Sequence, residues 1–219
     1  MSADPRLSET FRILSVFTML LSLFCFGTSV ANATSEKKLL PLVEPDDNGM
    51  HRQPWFLNSF LDLREDAAEA AAENKQLVIL WEQRGCPYCK EMHRVNMRQP
   101  EIVDYIKKHF VVVQLNIWGD REITDFDGQT MTEKKLARKW RVQFTPTMNY
   151  FAKDAHKMAK AKSQDAEIWR LMGYWKPFHF HHSFVYVQEK GYKTEPNFQR
   201  WLQGKAEELR AKGIEVKLW

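Results

Sequence analysis

Cys86 and Cys89 stand three positions apart in the run Gly85-Cys86-Pro87-Tyr88-Cys89-Lys90. Thiols at this spacing form and break a disulfide by thiolate attack on sulfur, so the pair can serve as a two-electron couple. The third cysteine, Cys25, lies in an apolar stretch near the N-terminus, in Ser22-Leu23-Phe24-Cys25. A cysteine-cornered zinc site needs three or four ligands in suitable groups, and no second cysteine pair completes one. A purely structural disulfide is the other use of the pair. It would close so short a loop that it removes little unfolded-state entropy.

The elements around the pair decide which sulfur reacts. Gln76 to Trp81 is a short continuous apolar run, the pattern of a strand buried on both faces. Glu82-Gln83-Arg84-Gly85 makes a loop, and Pro87 suits a helix first turn. The cysteines therefore sit where a strand hands over to a helix. At that point the first sulfur faces unpaired backbone N–H groups and the positive end of the helix dipole, which favour the thiolate. Cys86 is expected to attack and Cys89 to resolve. Arg84 and Lys90 flank the pair and add positive charge, while Pro87 and Tyr88 set the turn without revealing the potential.

The wider chain reads as three parts. Arg6 and Arg12 precede an apolar stretch from Ile13 to Phe26, and Ala31-Asn32-Ala33 has the small-x-small pattern of a signal-peptidase site. Residues 1–33 are expected to be a cleaved signal peptide, the rival being a retained anchor shorter than the ~20 apolar residues of a spanning helix. Residues 34–54 read as an extended, poorly packed arm. Residues 55–219 form the domain. Spacing predicts a helix from Trp55 through Phe60 and Leu63 to Ala72, and another over Pro100 to His109. A strand is expected from Phe110 to Trp118, then an excursion with a turn at Asp127-Gly128. Thr132 is expected to cap a helix reaching Trp140. Strands Met148 to Phe151 and Ile168 to Tyr174 follow, and a closing helix spans Asn197 to Lys212 with Gly213 as its stop. Strands alternating with helices indicate an α/β fold, a mixed sheet with helices on both faces.

Cys86-Pro87-Tyr88-Cys89 after one strand and Thr145-Pro146-Thr147 before another resemble the two halves of a thioredoxin-family active site. The longer run Cys86 to His93 is similar to exported thioredoxin-like proteins, including those encoded with sulfur-oxidation systems, and more loosely to periplasmic disulfide isomerases. The resemblance covers about Phe60 to Lys212. It implies a thioredoxin fold and periplasmic disulfide exchange with exported protein thiols and disulfides, linked to a membrane electron donor or acceptor. It also implies that Pro146 is cis beside the disulfide and that the Thr145 backbone pairs with an extended substrate segment. Two departures stand out. Thioredoxins carry a buried Asp six residues before the first cysteine, where Leu80 stands here; Glu82 is the nearest acid and a candidate proton acceptor for Cys89. The stretch between Cys89 and Pro146 is longer than in a minimal thioredoxin, with Trp118 to Gln129 accounting for the insertion.

Other residues offer weaker alternatives. Cys86, Cys89 and His93 would suit a soft metal such as copper or zinc when reduced, making the protein a metal-handling module; a third reading is a non-catalytic thioredoxin-fold binding protein. The leading reading needs no cofactor and no metal. His179, His181 and His182 alternate with phenylalanines and read as packing rather than a site. Asp125-Phe126-Asp127-Gly128 lacks the acids of a calcium loop and reads as a turn. With 32 Lys and Arg against 28 Asp and Glu, the charge excludes a strongly basic nucleic-acid surface. The eight Trp residues are spread through expected elements, and a monomer is expected.

Overall fold

The computed structural model describes residues 38–157 and 163–216; the expected signal peptide and the first residues of the arm lie outside them. A four-stranded sheet has the order β2-β1-β5-β6, built from β1 (Gln76–Glu82), β2 (Phe110–Asn116), β5 (Thr147–Phe151) and β6 (Glu167–Met172). β1 runs parallel to β2 and antiparallel to β5, and β5 pairs antiparallel with β6. The sheet is thus mixed. A separate hairpin, β3 (Glu122–Thr124) and β4 (Thr130–Thr132), supplies the insertion, with Gly128 at positive φ in its turn.

Side chains along a strand alternate between faces, and β1 shows what that does here. Leu77, Ile79 and Trp81 enter one core with Leu63 and Ala67 of α1 (Leu63–Ala72) and Leu136 and Ala137 of α4 (Glu133–Lys139). Val78 and Leu80 enter the other, against Met92, Ile102 and Ile106, Phe180, Phe184 and Leu202. Those residues belong to the helical segment after the cysteines, to α3 (Pro100–His109), to α6 (Pro177–Gln188) and to α8 (Phe198–Ala211). The short α5 (Ser163–Ala166) and α7 (Gly191–Thr194) complete the fold. Helices cover both faces, as the sequence led us to expect. Burying each such aliphatic side chain contributes about 2 kcal/mol, so the sheet is held from both sides. Among the described residues no helix is long and apolar enough to cross a membrane.

Several local expectations are corrected. The first helix does not begin near Trp55: Leu61 takes a left-handed backbone, φ 66°, and Phe60 is 97% exposed. The helix starts only after Asp62, whose carboxylate caps it by accepting from the Arg64 and Glu65 N–H groups. Thr132 does precede α4, but its hydroxyl makes no capping bond. The histidine-rich segment is the first half of α6, begun by Pro177. Residues 38–54 are not a poorly packed arm. Met50 and Gln53 are buried, the Leu40 N–H donates to the Arg98 carbonyl, and Pro45 bridges to His51 as the strand-like base of a turn. Polar side chains at 51 and 53 conceal this packing from a hydrophobicity pattern.

Asp66, in the first turns of α1, accepts a hydrogen bond from the Ser59 hydroxyl at 2.7 Å. Burial pushes its carboxyl up to about 6, with the negative charges of Glu69, Asp62 and Glu65 adding to the effect. The folded state therefore holds this proton more tightly than the unfolded chain. Its stabilising contribution is full below about pH 4 and is lost as pH rises through about 6. Asp66→Asn is expected to raise stability by on the order of 2 kcal/mol at neutral pH and to leave it unchanged near pH 4, as measured by urea unfolding at both.

Candidate active site

β1 ends at Glu82, and Gly85, at φ 70°, turns the chain into α2 (Pro87–Glu91). Cys86 occupies the N-cap position and Pro87 the first turn. Cys86 and Cys89 are joined by a disulfide. The Cys89 N–H donates to Cys86 Sγ at 3.1 Å, so a backbone donor of the helix N-terminus points at the first sulfur. Both cysteines are largely buried, whereas Pro87 and Tyr88 between them are exposed. The expected strand-to-helix placement is what the fold delivers.

After Glu91 the helix continues through a wider turn, Met92–Asn96, closed by the Met97 N–H bonding to the Met92 carbonyl. Such turns insert a residue into the helical repeat. Met92, His93 and Asn96 all face inward as a result. Nothing in the residue spacing announces it.

The Thr145-Pro146 peptide is cis, as the family resemblance implied. It lies directly against the disulfide. The Thr145 hydroxyl donates to Cys86 Sγ at 3.3 Å, and its carbonyl oxygen is 3.7 Å from the same sulfur. Behind it, the Pro146 carbonyl accepts from the Gly173 N–H at 2.8 Å. Large apolar side chains on the adjoining segments are exposed: Tyr88 between the cysteines, Phe144 before Thr145 and Met172, paired with Thr147, are about half exposed or more, as is Trp118, whose indole donates to Gln83.

The inner side of the site is polar. Glu82 is 1% exposed, so it is not a solvated strand-end acid. Alternation along β1 carries Val78, Leu80 and Glu82 to the face that meets the cysteine helix. Glu82 thus lies one pleat beyond the Leu80 position, on the same side of the sheet. Its Oε1 lies 2.9 Å from His93 Nε2, and its Oε2 accepts from the Gln114 amide. His93 Nδ1 lies 2.9 Å from Gln53 Nε2. With both ring nitrogens engaged and the ring fully buried, His93 does not turn a lone pair to the sulfurs, which removes the geometric basis of a Cys86, Cys89 and His93 metal site. Gln53 and Gln114 escaped the sequence reading; Gln114 interrupts the apolar run of β2, and that break is the one visible signal.

A cleft of about 490 Å³ opens on the disulfide. Glu82, Cys86, Cys89 and Lys90 line one side and Glu44, Gly49, Met50 and His51 the other, so the N-terminal segment is a wall of the site. The remaining candidates are not part of it. His181 packs on Tyr105 of α3, its imidazole pushed down to about 4 by burial and, secondarily, by His182. Asp125 is buried in the hairpin turn and pairs with Lys139 at 2.7 Å.

A family model described as a thioredoxin-like domain matches residues 63–188. The chain belongs to the thioredoxin-like domain family. Among solved structures it is similar to a thioredoxin-fold protein from Helicobacter pylori, at 18% identity and TM-score 0.48, over 65% of this chain and 98% of that one. It is also similar to a thioredoxin from Thermus thermophilus, at 23% identity and TM-score 0.45, over 60% and 88%. The oxidised C-terminal domain of DsbD from Neisseria meningitidis aligns at 16% identity and TM-score 0.38, over 56% and 90%. Comparison with curated proteins gives no match. The match to the thioredoxin-like family thus begins after the segment that walls the cleft.

Gly49 tests that wall. It sits at φ 74°, and a Cβ there would come within 2.6 Å of Arg84 Cγ. Gly49→Ala is expected to destabilise the oxidised protein by about 1–2 kcal/mol in chemical denaturation, through backbone strain and displacement of Arg84.

Proposed function

We propose that the protein is a periplasmic thiol:disulfide oxidoreductase that exchanges disulfides with exported protein substrates through Cys86 and Cys89. The observation that carries this reading is the Cys86–Cys89 disulfide at a helix N-terminus with the cis Thr145-Pro146 peptide packed on Cys86. In the reducing direction the Cys86 thiolate attacks a substrate disulfide and forms a mixed disulfide while the first substrate thiolate leaves. Cys89 then displaces the second and closes the Cys86–Cys89 bond, so two electrons pass to the substrate. The oxidising direction is the reverse. The Thr145 backbone beside the sulfur supports pairing with an extended substrate segment, and the exposed Tyr88, Phe144, Trp118 and Met172 on the adjoining segments support docking of apolar side chains from an incompletely folded chain.

The periplasmic assignment rests on the N-terminal Arg6 and Arg12, the apolar Ile13 to Phe26 run and Ala31-Asn32-Ala33. The run Cys86 to His93 supports placing the protein with the exported thioredoxin-like proteins of sulfur-oxidation systems. Its partners in this reading are exported thiols and disulfides and a membrane donor or acceptor of electrons, with the protein acting as a monomer and without a bound cofactor.

Cys86→Ser is expected to abolish disulfide reductase activity. Cys89→Ser is expected to accumulate mixed disulfides with exported proteins, seen as non-reducing gel shifts that collapse with thiol reductant. Full reductase activity in the Cys86 variant would exclude the reading.

A further inference from the structure

The cleft on the disulfide has a second wall that the thioredoxin-like region does not supply. Glu44, Gly49 and Met50 line one side of its roughly 490 Å³, Arg84, Cys86 and Lys90 the other, and the family match begins only at residue 63. None of the described lining residues comes from the Thr145-Pro146 loop, so the cleft is a separate pocket from the flank on which Thr145 meets Cys86. A concavity of this size admits side chains of a bound polypeptide segment.

That wall is a fixed turn. The Asp46 carboxylate accepts from the Asn48 N–H at 2.9 Å and the Met50 N–H at 3.0 Å, and the Asp46 N–H donates to the Met50 carbonyl. Met50 is buried, and Gln114 holds the following residue through the His51 carbonyl. The Arg84 side chain lies across Gly49, where a Cβ would stand 2.6 Å from Arg84 Cγ and 3.1 Å from Nε. The turn thus seats the Arg84 stem. Arg84, Lys90 and Glu44 are exposed, and among the described residues their charged groups have no hydrogen bond or ion pair. The other titratable side chains lining the cleft are engaged, His51 by the Val43 carbonyl and Glu82 by His93 and Gln114. Free charge is therefore divided across the cleft, with two cations on the segments that carry the sulfurs and an anion on the turn.

We propose, resting on the oxidoreductase reading above, that this cleft is a substrate subsite: it receives the residue next to the substrate cysteine and selects an acidic side chain there through Arg84 and Lys90. A substrate sulfur that reaches Cys86 brings its neighbouring residue to the mouth of the cleft. An acidic side chain on that residue meets two cations beside the sulfurs, and a basic one meets two like charges. Exposed ion pairs are individually weak, so the selection depends on the turn holding Arg84 in one place. The N-terminal segment is thereby a specificity element.

The test compares two cysteine peptides of equal length, one with glutamates and one with lysines beside the cysteine, each joined by a disulfide to a coloured aromatic thiol. The Cys86 thiolate of the reduced full-length protein attacks the peptide sulfur, the peptide–aryl disulfide breaks and the aromatic thiolate leaves. Each rate is normalised to that peptide's reaction with a small neutral thiol, and the ratio of the two cancels the reactivity of Cys86 itself. The parent is expected to favour the acidic peptide about threefold at low salt and to lose the preference near about 1 M salt. Gly49→Ala changes no charge but displaces Arg84, and is expected to bring the ratio toward one. Asp46→Ala is expected to do the same by releasing the turn, although loss of a negative charge would by itself raise the ratio. Equal parent rates, a Gly49→Ala ratio matching the parent's, or an Asp46→Ala ratio unchanged or raised overturns the subsite. Release from neither peptide instead sinks the oxidoreductase reading. Should Gly49→Ala show no cooperative unfolding transition, the direction of change in Asp46→Ala decides.

Discussion

A carboxylate removed from water must have hydrogen-bond partners, and the burial of Glu82 imposes that requirement on four parts of the chain. β1 supplies the acid, β2 supplies Gln114, the wide helical turn supplies His93, and the N-terminal segment supplies Gln53. The Gln114 amide also donates to the His51 carbonyl, tying the same segment to the sheet a second time. The polar cluster thus works as a clamp. It joins the segment before the thioredoxin-like region to the base of the cysteine helix, and the cleft at the disulfide is bounded by the elements it holds together.

The outer half of the site depends on different physics. Cys86 is an N-cap, so its sulfur meets the backbone donor of Cys89 and the positive end of a helix extended by the wide turn. The Thr145 hydroxyl reaches the same sulfur from the loop before β5. A backbone donor and a side-chain hydroxyl thus converge on Cys86 Sγ, while the polar cluster around Glu82 lies buried beneath the cysteine helix.

Local signals explain what was legible beforehand. The continuous apolar runs of β1 and β2, the turn at Asp127-Gly128 and the stop at Gly213 depend on a few neighbouring residues, and each is found where expected. The first helix misled because Phe56, Phe60 and Leu63 share helical spacing, yet the left-handed Leu61 and the Asp62 cap prevent a helix there. Spacing reports a compatible period, not the backbone state that interrupts it.

The sequence by itself determined the cysteine pair and its placement: Cys86 and Cys89 at a strand-to-helix junction follow from an apolar run, a Gly and a Pro that act over a few residues. It also placed Thr145-Pro146 before β5, where family resemblance implied the cis peptide that the structure has. Only the tertiary structure decided what surrounds the pair. Gln53 and His93 are 40 positions apart, and Glu82 and Gln114 are 32 apart. Side-chain hydrogen bonds over such separations have no sequence period; they arise because the sheet register, a wide helical turn and a packed N-terminal segment bring distant polar groups to one buried point.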